Sequence, residues 1–119
     1  LIEAGYVDCP ATIADWRGRE VRMSVAGIPI TVLPGLCCRS AAGVPDVMRG
    51  EETQIFGAFS MDPGLEKSAQ TLLLPGTHSK WVSVRGGRIE SFATWMTGEF
   101  YALLRQHSIL SRTLPAQDG

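Results

Sequence analysis

A short polar turn between two apolar runs is the part of this sequence best suited to bind a small anion. Apolar residues 72–74 precede it and the alternating residues 81–84 follow it, which predicts two strands joined by a turn. Backbone N–H groups, two hydroxyls, an imidazole and an ammonium can converge there on one phosphate. The residues that supply these groups are Gly76, Thr77, His78, Ser79 and Lys80. The alternative is a hairpin loop made of common turn residues.

Asp46 is a candidate catalytic base at the predicted start of a helix. Early acidic residues and spaced apolar side chains predict that this helix runs from Asp46 to about residues 57–59. A carboxylate at a loop-to-helix junction can orient a substrate hydroxyl and accept its proton during phosphoryl transfer. Arg49, one turn further on, would place a cation on the same helical face. The alternative is that Asp46 only caps the helix.

Three other polar residues are candidates for contacting a ligand. Glu52 falls on the side of the predicted helix that should be apolar, so its carboxylate needs a partner or lines a pocket. Thr97 and Glu99 flank Gly98 at the predicted start of a second helix, beside a sheet edge, where a polar ligand can bind. The alternative for Thr97 is a helix cap.

The three cysteines, Cys9, Cys37 and Cys38, are odd in number and two are adjacent. This spacing suits neither a disulfide framework nor a C-x-x-C zinc site, so we predict buried apolar thiols. A cysteine nucleophile paired with His78 is the alternative, although nothing in the sequence places these residues together.

The elements around these candidates are predicted from hydrophobic patterns. Val21–Val25 and residues 28–33 are predicted strands, and the second is so continuously apolar that we expect it to be buried on both faces. Residues 36–43 are predicted to form a loop and residues 60–69 a linker or irregular turn.

A three-stranded antiparallel meander followed by a helix is predicted for the second half. The strands are residues 72–74, 81–84 and 89–95, with a tight reversal at residues 85–88. The helix would run to about Gln106. Its buried side would consist of Tyr101, Leu103 and Leu104.

Composition limits the classes of function that fit. The chain has 119 residues, 45% of them hydrophobic, and a formal net charge of −1, as in one ordinary globular domain. This charge and the lack of basic runs argue against nucleic acid and membrane surfaces as partners. No run is long enough to span a bilayer and the start does not resemble a signal peptide, so we predict a cytoplasmic protein. The start at Leu1 in a loop-like segment suggests a piece of a longer polypeptide.

Taken together, three segments resemble the 2-dehydro-3-deoxygalactonokinases. They are PDVMRGEETQIFG at residues 45–57, LPGTHSKW at residues 74–81, and residues 97–110, which begin TGE and end QHSIL. The likeness extends over nearly the whole chain. It implies the actin, Hsp70 and sugar kinase superfamily, in which two ribonuclease-H-like domains close over ATP and substrate.

The resemblance implies an α/β fold, α+β within this chain, that contains parts of two actin-like ATPase domains. Residues 1–68 would end the first, substrate-side domain, and residues 69–119 would begin the second, nucleotide-side domain. The implied reaction is ATP-dependent phosphorylation of the terminal hydroxyl of 2-dehydro-3-deoxy-D-galactonate to its 6-phosphate, in galactonate catabolism. Asp46 is then the base and residues 76–80 receive the phosphates of ATP, with Mg²⁺. Arg49, Glu52, Thr97 and Glu99 are assigned to the substrate.

The sequence departs from the superfamily pattern in two respects. Many relatives carry an Asp near the start of the second hairpin, where this chain has Leu74-Pro75, so none of its residues is assigned to a metal. An Asp-x-Gly-Thr hairpin and an adenosine-binding segment are also missing from it. We therefore interpret the chain as about the middle third of a kinase, inactive by itself.

The expected partners are a sugar acid, ATP and the remainder of the kinase chain, and a homo-oligomer is left open. Two alternatives remain at this stage. One is a non-catalytic relative that binds a sugar acid or a nucleotide. The other is an actin-like ATPase without a sugar substrate.

Overall fold

The computed structural model describes residues 4–113 and residue 115. These residues form a mixed α/β structure with three α-helices and largely antiparallel sheets, which confirms the predicted class. In chain order the elements are β1 (Tyr6–Asp8), β2 (Ala11–Thr12), α1 (Ile13–Arg17), β3 (Val21–Val25), β4 (Ile28–Val32), β5 (Gly35–Arg39), β6 (Pro45–Met48), α2 (Glu51–Met61), β7 (Gln70–Leu74), β8 (Ser79–Arg85), β9 (Arg88–Trp95), α3 (Thr97–His107) and a 3₁₀ helix (Ile109–Thr113).

The predicted meander is confirmed and supplies three of the four strands of the larger sheet. β7, β8 and β9 pair antiparallel in sequence order, and β2 adds a fourth strand beside β9. Gly86 and Gly87 both have positive φ at the β8–β9 reversal, as a two-residue hairpin turn requires. Side chains of β8 alternate along the strand, so that Val82 and Val84 enter the core while Trp81 faces outward.

A second sheet overturns two predictions. β5 pairs parallel with β1 and antiparallel with β6, so residues 36–39 of the predicted loop 36–43 belong to the central strand, and only residues 40–43 lie outside the strands. Asp46 lies within β6, so the prediction that it stands at a helix start was also wrong. α2 begins only at Glu51, after Gly50 with a φ of 110°, and continues to Met61. Pairing with β5 extends the chain through residues 45–48, and a glycine can then reverse its direction.

β3 and β4 form the predicted strands but not with the predicted burial. They pair only with each other in the described residues, through a turn in which Ala26 and Gly27 have positive φ. Four of the five β4 residues are exposed, so burial on both faces was wrong. An apolar run becomes a buried strand only where other layers cover it, and here none of the described layers does.

One hydrophobic core joins the two halves of the described chain. Val7, Leu36 and Ile55 come from before the expected domain boundary, and Val82 and Ile89 from after it. Trp16 closes one side of this core, where its indole N–H donates to the carbonyl oxygen of Pro34 at 2.6 Å. The expected division at residues 68 and 69 stays a prediction.

α3 differs from its prediction at its start and on its buried face. Met96 is the N-cap residue and none of the described side chains caps the helix, so a capping role for Thr97 was wrong. Tyr101, Leu103 and Leu104 are about half exposed, at 59%, 47% and 51%, because no described element covers this face. None of the described helices is long and apolar enough to cross a membrane.

Candidate functional site

The carboxylate of Asp46 links the three-stranded sheet, which contains β6, to the four-stranded sheet, which contains β9. Oδ2 accepts the backbone N–H of Thr94 at 2.7 Å, and Oδ1 accepts the Thr94 hydroxyl at 2.7 Å. The backbone N–H of Val47 also donates to Oδ1, at 2.8 Å. The Asp46 side chain is 25% exposed, so a fixed carboxylate in β6 still reaches solvent.

Lys80 extends its side chain into the same cluster. Its ammonium donates to the Thr94 hydroxyl at 2.6 Å and to the carbonyl oxygen of Val47 at 2.7 Å. It lies 3.9 Å from Oδ1 of Asp46, and the residue is only 5% exposed. A buried ammonium requires such partners, because an unpaired charge in the interior is very unfavourable. Lys80, the last residue of the predicted phosphate turn, therefore connects that turn to the predicted base.

Thr94 is the member of this cluster that the sequence analysis missed. A threonine inside a strand carries no functional signal by itself. The predicted strand began only at residue 81 and left Lys80 in the turn. In the structure β8 begins at Ser79, so Lys80 is a direct cross-strand partner of Thr94 and shares one face of the sheet with it.

The turn before Lys80 is exposed at Gly76, Thr77 and His78. In the described residues, the backbone N–H groups of Thr77 and His78 donate to no other backbone group. Ser79 is buried, and its hydroxyl points back to the carbonyl oxygen of Gly76 at 3.5 Å. The turn thus offers amides to a ligand, whereas Ser79 and Lys80 are directed inward.

The start of α3 holds this turn from the other side. The N–H of Gly98 donates to the carbonyl oxygens of Gly76 at 3.3 Å and Thr77 at 3.1 Å, and the N–H of Glu99 donates to Thr77 at 3.2 Å. A Cβ atom at Gly98 would lie 2.8 Å from the Gly76 carbonyl oxygen and 2.9 Å from the Thr77 Cα. Gly98 is therefore needed for this close approach.

His78 and Glu99 form a second link between the turn and α3. Nε2 of His78 lies 2.6 Å from Oε2 of Glu99, with both side chains partly exposed. Thr97, two residues before Glu99, lines an open apolar cavity of about 560 Å³ together with Trp81 and Trp95. The structure therefore brings His78, Thr97 and Glu99 to one region and directs Glu99 to the turn.

Arg49 and Glu52 contact residues outside this region. Arg49 does not share a helical face with Asp46, because both precede α2. Its guanidinium donates to the carbonyl oxygen of Ala4 at 2.8 Å and lies 4.6 Å from the centre of the Tyr6 ring. Glu52 is on α2 and 2% exposed, and both its oxygens accept the N–H of Gly50 at 2.8 Å.

The three cysteines are free thiols, of which Cys38 is buried and Cys9 and Cys37 are only partly buried, so the prediction of buried thiols is confirmed for Cys38 alone. Sγ of Cys37 lies 3.1 Å from Oδ1 of Asp8, and Sγ of Cys38 lies 3.3 Å from the carbonyl oxygen of Phe92. Burial raises the pKa of Cys9 to about 12 and that of Cys37 to about 11, so both stay protonated near neutral pH. A cysteine nucleophile paired with His78 finds no support, because the imidazole contacts Glu99.

Metal ligands do not cluster in the part of the chain that the structure describes. No group of three or more His, Cys, Asp or Glu side chains is arranged there to hold an ion. Any divalent cation at the turn would need oxygens from a bound nucleotide or from other polypeptide.

Comparisons with known proteins agree on one family. The family model described as 2-keto-3-deoxy-galactonokinase matches residues 1–119. A "Probable 2-dehydro-3-deoxygalactonokinase" of Rhizobium meliloti strain 1021 is 42% identical over 116 residues, which cover 98% of this chain and 37% of the relative. A 2-dehydro-3-deoxygalactonokinase of Escherichia coli K12 is 40% identical, with the same coverage.

A solved structure is also similar to this chain. The crystal structure of a "putative 2-dehydro-3-deoxygalactonokinase protein" from Sinorhizobium meliloti is 44% identical and superposes with a TM-score of 0.80. The match covers 92% of this chain and 35% of that chain. The chain therefore spans little more than a third of the length of these relatives.

Proposed function

Because this chain belongs to the 2-keto-3-deoxy-galactonokinase family, we propose that it is part of a sugar-acid kinase. The kinase transfers the terminal phosphoryl group of ATP to the terminal hydroxyl of 2-dehydro-3-deoxy-D-galactonate and forms the 6-phosphate, a step of galactonate catabolism in the cytoplasm. The names of the relatives, similar over 98% of this chain, support this substrate.

The observation that carries the proposal is the contact between Asp46 and Lys80. Catalysis of phosphoryl transfer depends mainly on positioning and on stabilisation of charge. The Asp46 carboxylate is held by three hydrogen bonds and is still 25% exposed. Its Oδ2 accepts only one of these bonds, so a further lone pair can accept the proton of a substrate hydroxyl.

The exposed turn fits the phosphates of a nucleotide through its backbone. The amides of Thr77 and His78 point to no backbone acceptor among the described residues, and backbone amides in such turns bind anions. Bound ATP with Mg²⁺ supplies the phosphoryl group and neutralises its charge. Ser79 supports the turn from within, and we place Lys80 with Asp46 instead of with the phosphates.

The four residues assigned to the substrate have unequal access to it. Thr97 and Arg49 are exposed and can contact a sugar acid. Arg49 can do so only through the part of its guanidinium that is left free by Tyr6 and by the carbonyl oxygens of Ala4, Gly5 and Leu33. Glu99 can act only alongside His78, its present partner. Glu52, at 2% exposure, supports the backbone at Gly50.

An exposed apolar face supports the proposal that the working enzyme is longer than this chain. Trp81 and Trp95 are 48% and 61% exposed, and Tyr101 on α3 is 59% exposed. Trp81 and Trp95 line one open apolar cavity, and exposed apolar surfaces of this kind usually mark an interaction site. We propose that the remainder of the kinase covers this face. We also propose that residues 1–68 and residues 69–119 of this chain belong to two different ribonuclease-H-like domains of the kinase.

A kinase assay on two proteins tests the proposed function. The 119-residue chain and a full-length protein that contains it are given ATP and 2-dehydro-3-deoxygalactonate. We expect phosphorylation only by the full-length protein, because the chain lacks much of its relatives' length. Strong activity of the chain alone would contradict its proposed inactivity, and ATP hydrolysis that does not respond to the sugar acid would favour an actin-like ATPase.

Substitution of the proposed base separates catalysis from binding. In the full-length protein, Asp46→Asn is expected to lower kcat by about 100-fold or more with little change in the KM values. Asp62→Asn is the matched control, because Asp62 is exposed and its side chain, among the described residues, accepts only the N–H of Gly64. Unchanged turnover in Asp46→Asn would show that Asp46 is not the base.

A further inference from the structure

We propose that Thr94 is the positioning residue that orients the Asp46 carboxylate for the reaction. This inference rests on the proposed function of Asp46. The backbone N–H of Thr94 holds Oδ2 at 2.7 Å and its hydroxyl holds Oδ1 at 2.7 Å. One residue of β9 thus binds both oxygens, which prevents the carboxylate from rotating about its last side-chain bond.

The direction of the hydrogen bonds follows from the chemistry of the three side chains. The Lys80 ammonium has donors only, so the hydroxyl oxygen of Thr94 must accept its proton at 2.6 Å. The single hydroxyl proton of Thr94 is then available for Oδ1 of Asp46. The chain of donation runs from Lys80 through Thr94 to Asp46, and each bond strengthens the next.

In this arrangement Lys80 helps to orient the Asp46 carboxylate, a role that its predicted place in the phosphate turn did not suggest. Its ammonium is 3.9 Å from Oδ1 of Asp46 and acts on the carboxylate mainly through Thr94. Two hydrogen bonds saturate Oδ1, whereas among the described residues Oδ2 accepts only the N–H of Thr94. The oxygen with the available lone pair is therefore the one whose position Thr94 fixes through its backbone.

The test compares three variants of the full-length protein. Thr94→Val removes the hydroxyl and keeps the shape, and we expect kcat to fall about tenfold or more while both KM values change less than about twofold. Thr94→Ser keeps the hydroxyl and is expected to stay within about threefold of the parent kcat. Thr71→Val is the matched control, because Thr71 is an exposed residue of β7.

A double variant distinguishes a positioning role from a general structural one. If Thr94 acts through Asp46, adding Thr94→Val to Asp46→Asn lowers kcat no further. Equal losses in both backgrounds would overturn the inference, as would unchanged kcat in Thr94→Val. Should Thr94→Val not fold, Thr94→Ala replaces it, since alanine also removes the hydroxyl and adds no methyl group beside the ammonium.

The outcomes also separate this inference from the proposed function. A large loss in Asp46→Asn together with full activity in Thr94→Val would leave the base in place and reject the role of Thr94. Full activity in Asp46→Asn would reject the proposed base first. Loss of activity in Thr94→Ser equal to that in Thr94→Val would show that the hydroxyl is not what matters, and would reject the inference.

Discussion

The ammonium of Lys80 lies 3.9 Å from Oδ1 of Asp46, in a cluster that joins β8 of the four-stranded sheet to β6 of the three-stranded sheet. The contact connects two segments that come from opposite sides of the expected domain boundary. It also sets the orientation of the carboxylate that we propose as the catalytic base. The stability of this chain and the activity of the full-length protein should therefore respond together to changes at this contact.

Lys80→Met is expected to destabilise the chain by about 3 kcal/mol, because it removes the cation from a nearly buried polar cluster. The lost partners are the carbonyl oxygen of Val47 and the hydroxyl of Thr94. Urea unfolding followed by circular dichroism measures the change. Lys67→Met, at an exposed position, serves as the control and should stay within about 0.5 kcal/mol of the parent. Equal stability of the two variants would contradict a stabilising role for the contact.

Gly98→Ala is expected to destabilise the chain by about 1–3 kcal/mol and to separate α3 from the turn. The added Cβ would lie 2.8 Å from a backbone oxygen of Gly76, too close for an ordinary contact. At Gly76 an added Cβ would meet its nearest neighbour at 3.8 Å, so Gly76→Ala is the matched control for folding. A thermal unfolding midpoint for Gly98→Ala as high as that of Gly76→Ala would show that the close approach is not required.

Arg49→Lys is expected to lower stability by about 1 kcal/mol although the positive charge is kept. Lysine cannot reproduce the planar group that lies over Tyr6 at 4.6 Å and donates to Ala4 at 2.8 Å. Thermal unfolding is the measurement, with the exposed Arg85→Lys as control. In the full-length protein, Arg49→Ala tests the substrate assignment, for which we expect a higher KM for the sugar acid and an unchanged KM for ATP.

The raised pKa values of two cysteines predict how the stability of the chain changes in the alkaline pH range. The pKa values of Cys9 and Cys37 rise from 9.0 to about 12 and about 11, mainly because of burial. The unfolded chain therefore releases these protons first as pH increases. Their contribution to stability is complete below about pH 9 and is lost as pH rises toward 11–12.

Urea unfolding at about pH 8 and pH 10.5 measures this dependence. A Cys9→Ala and Cys37→Ala double variant should lose less stability between the two pH values than the parent chain, because it lacks the two thiols. Lysine and tyrosine groups titrate in both proteins, so their effect cancels in the comparison. The same pH dependence in both proteins would mean that the two thiols do not contribute to it.

Local sequence patterns predicted the second half of the chain well. Alternating apolar residues and the Gly86-Gly87 pair lead to β7, β8 and β9 in antiparallel order, as the structure shows. These features depend on the pleat of a strand and on the φ values that glycine allows, both of which act within a few residues. The family resemblance, carried by short strings around Asp46, His78 and Glu99, was likewise present in the sequence.

The predictions that failed depended on contacts between distant segments. Asp46 was expected at a helix start because acidic residues follow it, yet pairing of β6 with β5 makes it a strand residue. The strand β4 was expected to be buried, yet no described layer covers it. Local propensity cannot show which segment will pair with which, because pairing is decided by the burial that the whole fold achieves.

The sequence by itself determined the meander, the hairpin turn and the chemical groups that are available at residues 76–80 and Asp46. Only the tertiary structure decided where those groups point. The Lys80 ammonium turns inward to Thr94 and Asp46 instead of outward to the turn. The physical reason is that Lys80 and Thr94 become neighbours only when β8 pairs with β9, and that a buried charge takes the position where polar partners surround it.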